Sequence, residues 1–364
     1  MTPVADQLAE FDRLAEGKSL KEDRNAQWVV ARAPVGNVRA DDFMWVESPI
    51  PEPGPGEVLL KTLYLSLAPV MRAYMQGTGI AGERPLQIGD VIHGRGVAQV
   101  VRSRHADWPE GSVVQGQLGW QAWKLSRMTP AEKMKRMSPM GLPASLGLGI
   151  LGMTGMSAYA GYMLCCDPKR EDRMLLSGAA GGVGSIVAQL AARVVGCPVV
   201  GIAGGAEKCK FVKDLGCRDA IDYHASDLAA GIETCMADGI DLYFDNVGGE
   251  ILATALEHLR PRARVLLCGS ISEYARETPF ALRNYTRLRV TDSTMRGFYV
   301  YNHLADWDRA MSDMAQWIHE DKLAPHFSVV KGIENMPKAL AQLYYGGNLG
   351  KQICSVRGEP EEWS

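Results

Sequence analysis

The sequence has no apolar run approaching the roughly 20 residues that a bilayer-spanning helix needs, so no membrane partner is expected. Its amino-terminal stretch, residues 1–17, is acidic and has no apolar h-region, so it does not read as a secretory signal. Charge of neither sign dominates: 39 Lys and Arg stand against 42 Asp and Glu, a formal net charge of −3. With no basic patch and no aromatic platform, no nucleic-acid partner is expected. The eight cysteines include no C-x-x-C pair, and none precedes Cys165. In a chain of 364 residues that pattern reads as reduced, mostly buried thiols in a cytoplasmic protein rather than a disulfide framework. Internal repeats and low-complexity tracts are absent as well.

What is present is ordinary for a globular chain: 46% apolar and 22% charged residues, with a length that suggests about two domains. Val4, Leu8, Phe11 and Leu14 recur at helical spacing, which predicts a short amphipathic helix docked on the body or on a partner. A frayed tail is the other reading. From Trp28 to Val101 the pattern is β-rich, with strands predicted over 28–32, 44–46, 57–65 and 97–101, and a further one over 111–116. The methionine-bearing run 120–140 (Met128, Met134, Met137, Met140) reads as the packed face of a helix, or else as adaptable walls for an apolar substrate.

Near Pro143 the character changes. A helix is predicted over 146–164, and strands over 174–177, 199–203, 241–247 and 264–268 alternate with helices over 186–195, 207–215 and 251–259. Such alternation implies a parallel sheet covered on both faces, with right-handed crossovers. Residues 298–300 read as a last strand and 307–319 as a helix, before strand-like 327–330 and 352–356. A β-rich segment at both ends of an α/β insert suggests a first domain split in sequence.

The strongest chemical signal is Leu175-Leu176-Ser177-Gly178-Ala179-Ala180-Gly181-Gly182-Val183-Gly184-Ser185. It follows a predicted strand and opens a predicted helix, as a dinucleotide-binding turn must. Glycine permits the tight turn, close approach of backbone to a pyrophosphate, and packing of helix on strand. The helix amino terminus then offers N–H groups and a positive dipole end to phosphate. The spacing is G-x-x-G-x-x-G rather than G-x-G-x-x-G. An NAD site usually places Asp or Glu about 20 residues on, at the end of the next strand. Here that strand ends in Gly204-Gly205, and Lys208 follows within one turn. A lysine there suits an adenosine 2′-phosphate, which favours NADP(H). Glu207 turned inward is the competing reading.

With these come Leu65-Ser66-Leu67-Ala68-Pro69-Val70-Met71-Arg72, Gly152-Met153-Thr154-Gly155-Met156-Ser157-Ala158-Tyr159, Tyr243-Phe244-Asp245-Asn246-Val247-Gly248-Gly249, Cys268-Gly269-Ser270-Ile271-Ser272-Glu273-Tyr274, Met295-Arg296-Gly297-Phe298, and Asn335-Met336-Pro337 with Gly346-Gly347-Asn348-Leu349-Gly350-Lys351. On these blocks the chain from about Trp28 onward resembles the zinc-independent medium-chain dehydrogenase/reductases, within them the prostaglandin reductase (leukotriene B4 12-hydroxydehydrogenase) and curcumin reductase group. The resemblance implies an α/β protein: a GroES-like β-rich domain (27–145 and 325–364, after an extension over 1–26) and a Rossmann doubly wound parallel-sheet domain (146–324), with NADPH in the cleft between them. It implies that Gly181, Gly182, Val183 and Gly184 hold the pyrophosphate, that Lys208 and Tyr223 hold the 2′-phosphate, and that Asn246 lies beside the dinucleotide. Cys268, Ser270, Ile271, Tyr274, Phe298, Tyr299 and Val300 would line the nicotinamide half. Asn348 would contact it from the carboxy-terminal segment, and Met153 and Thr154 would border nicotinamide and substrate. A homodimer through the edge of the Rossmann sheet is implied as well.

The reaction expected from the resemblance is reduction of the carbon–carbon double bond of a small α,β-unsaturated ketone or aldehyde. Zinc members of the superfamily carry a Gly-His-Glu block early in the β domain; the matching stretch here is Ile92-His93-Gly94-Arg95-Gly96. The β domain thus offers His93 and His105 but no early thiolate, and no metal is expected. Some members carry a tyrosine eight positions before the Phe of the Gly-Phe pair, where this chain has Val290, and their Asp-Pro-Tyr-Met-Arg block reads Ala68-Pro69-Val70-Met71-Arg72 here. Tyr64, Tyr274 and Tyr285 are the candidate replacements, with Tyr64 and Tyr285 preferred. Arg72 is expected in a structural ion pair rather than on an acidic substrate. Two further readings stand beside this one: quinone reduction by the same hydride chemistry, and a non-catalytic NADPH-binding protein.

Overall fold

The computed structural model describes residues 4–77, 84–138, 140–225 and 227–360. The chain divides into two units. The first comprises residues 1–148, 328–347 and 352–364, and the second 149–327 and 348–351.

In the first unit, helix α1 (Val4–Ala15) is followed by β1 (Arg24–Val30), β2 (Phe43–Pro49), β3 (Val58–Ser66), the single turn α2 (Met71–Tyr74), β4 (Arg95–Ser103), β5 (Val113–Gln117), β6 (Trp123–Ser126) and β7 (Lys135–Arg136). β1 and β2 pair antiparallel, with Trp28 opposite Trp45. The α1 periodicity is used on this unit: Phe11 is buried against Phe43, Leu8 and Leu14 pack on the same core, and Asp12 accepts from Lys338 Nζ at 2.5 Å. The run 120–140 is not a helix. It is two short strands and a 3-10 turn over Pro130–Glu132, with Met128, Lys133 and Met140 at positive φ, a backbone that a helix cannot contain.

The second unit runs α3 (Met153–Tyr159), β8 (Met174–Leu176), α4 (Gly182–Gln189), β9 (Val199–Ala203), α5 (Ala206–Asp214), β10 (Asp219–Asp222), α6 (Leu228–Cys235), β11 (Ile240–Asp245), α7 (Gly249–Glu257), β12 (Leu259–Leu267), the turn α8 (Arg287–Val290), β13 (Thr294–Gly297) and α9 (Trp307–His319). The chain then returns through β14 (Phe327–Lys331), α10 (Met336–Tyr344) and β15 (Lys351–Ser355), which add to the first unit's sheet in the order β14-β15-β3-β4-β5-β7, with β6 also on β3.

The second unit's sheet has the order β10-β9-β8-β11-β12-β13, all parallel. This is the doubly wound arrangement, with its order reversing between β8 and β11. β10 and α6 went unread in sequence because each is short and weakly patterned. The helix predicted over 146–164 is broken. A 3-10 turn over Ala144–Leu148 ends before α3 begins at Met153, and Gly155 packs so closely on the Ile150 carbonyl that a Cβ there would overlap its oxygen. The predicted strand at 298–300 is displaced as well: β13 ends at Gly297, and Val300 opens a 3-10 helix to Asp306. Among the described residues no helix is long and apolar enough to cross a membrane.

Candidate nucleotide and substrate site

The glycine turn joins β8 to α4 and is built for backbone approach. Gly178 sits at φ +58°, and a Cβ on Gly184 would overlap the Gly178 carbonyl oxygen and approach Ala179 Cα to 2.9 Å. Gly181 has no side chain with which to cap α4, so the first-turn N–H groups of Gly182, Val183 and Gly184 face outward without intrahelical partners. Phosphate oxygens are the chemically matched acceptors for such a turn.

Around this turn the parallel strands deliver their carboxyl ends. After β9, Gly204 lies under the rings of His224 (2.8 Å from an added Cβ) and Tyr223 (3.0 Å), and Asp222 accepts from Gly205 N at 2.8 Å. Lys208 stands one turn into α5. Burial pushes its ammonium below the ordinary lysine range, with Glu207 opposing. A partly desolvated cation at this strand end, with no carboxylate ending β9 itself, fits a 2′-phosphate. Asp222, which ends the neighbouring β10, has its Oδ1 engaged by the amides of Gly205 and His224.

At the switch point, Ser177 Oγ donates to Asp245 Oδ1 at 2.7 Å and accepts from Asn246 N at 2.9 Å, while Asn246 Nδ2 donates to the Ser177 carbonyl at 2.8 Å. Asp245 also accepts from Tyr243 Oη at 2.7 Å and from Gly248 N at 3.0 Å. This buried knot holds the ends of β8 and β11 together and fixes Asn246 at the crevice. Neither Ser177 nor Asp245 was identified as a site residue from sequence, although both lie within the quoted blocks.

Beyond β12, the segment 268–274 folds back over the α7 amino terminus. Cys268 N donates to the Asp245 carbonyl at 2.8 Å, and burial pushes the Cys268 thiol up to about 12. The Ser270 amide points to Tyr274 Oη at 3.5 Å. Tyr274, Ser270, Cys268, Glu273, Phe280 and Leu282 line a cavity of about 360 Å³. Phe298 packs on Gly161, 2.9 Å from an added Cβ, and the Tyr299 ring lies 5.1 Å from Tyr301.

The carboxy-terminal segment contributes a strap. Gly350 N donates to the Ala180 carbonyl at 2.8 Å, Lys351 N to the His326 carbonyl at 2.8 Å, and Asn348 Nδ2 to the Gly350 carbonyl at 2.8 Å. Gly350 at φ +67° permits this crossing, which a Cβ would block against His326. Lys351, to which the sequence reading gave no role, lays its chain along the phosphate turn. Its Cδ is 3.1 Å, and Thr154 Cγ2 3.4 Å, from an added Cβ on Gly182. The side chain is buried, and burial lowers its ammonium to about 7.

All of the expected cofactor residues, Met153 through Asn348, therefore lie in the second unit. The tyrosines separate. Tyr64, in the first unit's β3, is buried and donates to Glu359 Oε1 at 3.1 Å, a carboxylate that also accepts from Ala144 N at 2.7 Å. Burial and Glu359 raise its pKa. Tyr285 is 60% exposed. Arg72, expected in an ion pair, is buried and donates to the Gly36 and Pro34 carbonyls, and burial lowers its pKa against the opposing pull of Tyr344 and Asp42. Among the described residues no group of three or more His, Cys, Asp or Glu is placed to hold a metal ion.

Comparison with known proteins accords with this geometry. Residues 26–134 match the family described as the N-terminal domain of oxidoreductase, and residues 182–317 match the zinc-binding dehydrogenase family. The chain is 35% identical over 349 residues to the NADPH-dependent curcumin reductase of Escherichia coli, covering 93% of this chain and 99% of that one. It is 36% identical to prostaglandin reductase 1 of Bos taurus, over 90% of this chain and 98% of that one. The solved structure of CurA in complex with NADPH from Vibrio vulnificus superposes with a TM-score of 0.84 at 35% identity, covering 91% of this chain and 99% of that one. The chain belongs to the medium-chain dehydrogenase/reductase family, in the group of the curcumin and prostaglandin reductases.

Proposed function

We propose that this chain is an NADPH-dependent reductase of the carbon–carbon double bond of small α,β-unsaturated ketones and aldehydes. The observation that carries the reading is the nucleotide cradle: a glycine turn closed under α4, with half-buried Lys208 beyond a strand that ends without a carboxylate. The names of the full-length relatives, curcumin reductase and prostaglandin reductase, support the substrate class.

In this reading the α4 amides hold the pyrophosphate, Lys208 and Tyr223 hold the 2′-phosphate, and Asn246, oriented by Ser177, fixes the ribose. When bound, the dinucleotide supplies the hydride that reduces the β-carbon. The chain must then orient the alkene, exclude water, and stabilise charge that develops on the carbonyl oxygen. We assign that last role to the hydroxyl of Tyr274, a residue that lines the cavity and whose Oη lies 3.5 Å from Ser270 N. The Tyr64 hydroxyl is committed to a hydrogen bond with Glu359, which makes it a poorer candidate, and Tyr285 faces solvent. Three expectations accompany this reading. The chain works without zinc, as its donor set suggests, and in the cytoplasm, as eight free thiols suggest. It also pairs with a second copy along β13, an edge strand flanked by exposed Val290.

The test is nicotinamide oxidation by the purified chain with enones, enals and quinones. NADPH oxidation with release of the saturated ketone is expected. Preference for NADH would overturn the role of Lys208. Faster quinone than enone turnover would make the chain a quinone reductase, and tight NADPH binding without oxidation a binding protein. Single-turnover rates of Tyr274→Phe, Tyr64→Phe and Tyr285→Phe then assign the donor: loss of roughly tenfold or more in the first alone is expected.

A further inference from the structure

Away from the nucleotide cradle, the second unit brings a thiol and an imidazole together. Cys165 ends a π-helical turn that continues α3 over Ala160–Cys165, and His303 lies in the 3-10 helix Val300–Asp306. Their Sγ and Nε2 atoms are 3.6 Å apart, hydrogen-bonding distance for sulfur. The Phe298 ring packs on Gly161 of the π turn and stands edge-on 6.2 Å from the His303 ring. Both Cys165 and His303 are partly exposed. Burial raises the Cys165 thiol pKa, and Arg296 on β13 opposes that rise. A thiol held mostly protonated in this way needs a base to become a nucleophile, and His303 is positioned to be one.

We propose that Cys165 and His303 form a nucleophile–base pair that captures α,β-unsaturated carbonyl compounds covalently. The thiol proton passes to His303 Nε2 as Sγ forms a bond to the β-carbon, the alkene π pair shifts to the bond between the α-carbon and the carbonyl carbon, and the carbonyl π pair moves onto oxygen to give an enolate. The same proton then returns to the α-carbon. The S–H bond and the C=C π bond are lost and S–C and C–H bonds are gained, so nothing is oxidised or reduced overall and no nucleotide is consumed. The pair rests on the proposed function only for the choice of electrophile. It would give the chain a second, non-reductive encounter with the compounds it reduces.

The other thiols are worse placed. Cys166, Cys197, Cys217 and Cys354 are buried. Cys235 Sγ donates to Asp219 Oδ2 at 3.4 Å, and Asp222 and Asp219 raise the Cys209 pKa on top of burial. Carboxylates beside a thiol disfavour the thiolate. Cys268 is held up by burial and by Asp245.

The experiment is peptide-level mass mapping of the full chain, without nucleotide, after limited exposure to methyl vinyl ketone near neutral pH. The first adduct is expected on Cys165, ahead of Cys209, Cys235 and Cys268 in the same molecules. Cys165→Ser should remove that adduct, and His303→Gln should slow Cys165 alkylation roughly tenfold or more with an unchanged far-UV spectrum. A first adduct on any other cysteine overturns the pair, and so does alkylation of His303→Gln at the wild-type rate. The competition among thiols within the wild-type chain keeps the test decisive should the His303 variant misfold. With no nucleotide present, the result is independent of whether the chain proves to be a reductase.

Discussion

A single methylene or a single charge decides much at the nucleotide cradle. An alanine at Gly184 would drive its Cβ into the Gly178 carbonyl, so the turn must open or α4 must shift. Overpacking of this kind costs about 1–3 kcal/mol, and Gly184→Ala should lower the melting temperature while abolishing measurable NADPH binding by fluorescence titration. Wild-type affinity in that variant would mean that the turn does not carry the phosphates. Lys208→Ala removes a charge-assisted contact that contributes about 1.5–3 kcal/mol. Calorimetry should therefore find NADPH bound roughly ten- to a hundredfold more weakly and NADH nearly unchanged. An equal loss for both nucleotides would move Lys208 away from the 2′-phosphate. Lys208 was legible in sequence because it sits a fixed distance past a recognisable strand. Ser177 and Asp245 were not, since their bond spans 68 positions and depends on two strand ends meeting.

Elements were predicted best where one face repeats. α9 has the predicted limits, Trp307–His319, and α1 follows the Val4-Leu8-Phe11-Leu14 stripe. Prediction failed where the chain turns on backbone geometry: at 146–164, where Gly155 meets Ile150, and in the 120–140 run, where positive φ values interrupt any helix. The strap 348–351 belongs to the same class, since its bonds to Ala180 and His326 have no periodic signature. It also carries the clearest pH dependence. The Lys351 ammonium has a pKa of about 7 in the folded chain against ~10.4 in an unfolded one. Between those values the unfolded state binds more protons, so this group makes stability rise with pH, and its full cost is felt below the folded value. Lys351→Met, which keeps the stem and removes the charge, should stabilise the chain most at or below about pH 7 and progressively less toward ~10.4. Denaturant melts across that range measure this directly, and a pH-independent difference would show that burial does not set the Lys351 proton.

At the scale of the whole molecule, all the cofactor residues expected from sequence fall within one unit, including Asn348, which the chain brings back to it after leaving for the first unit. A ligand that binds only the folded second unit should stabilise by about 2.7 kcal/mol at a hundred times its dissociation constant. NADPH should accordingly raise the unfolding midpoint, and NADH at the same concentration should raise it less. Equal shifts would argue against discrimination by the 2′-phosphate.

The sequence by itself determined the class of the second unit and the glycine turn, because each depends on neighbours within one strand–turn–helix step. It also determined that no early thiolate is available to a metal. Only the tertiary structure decided that Tyr274 lines a cavity, that Tyr64 bonds a carboxylate 295 positions away, that Trp28 Nε1 donates to the Ile333 carbonyl, and that Cys165 meets His303. These pairings have no spacing rule to announce them. They arise when separately formed elements pack, and the side chains left facing one another are then fixed by the path of the whole chain.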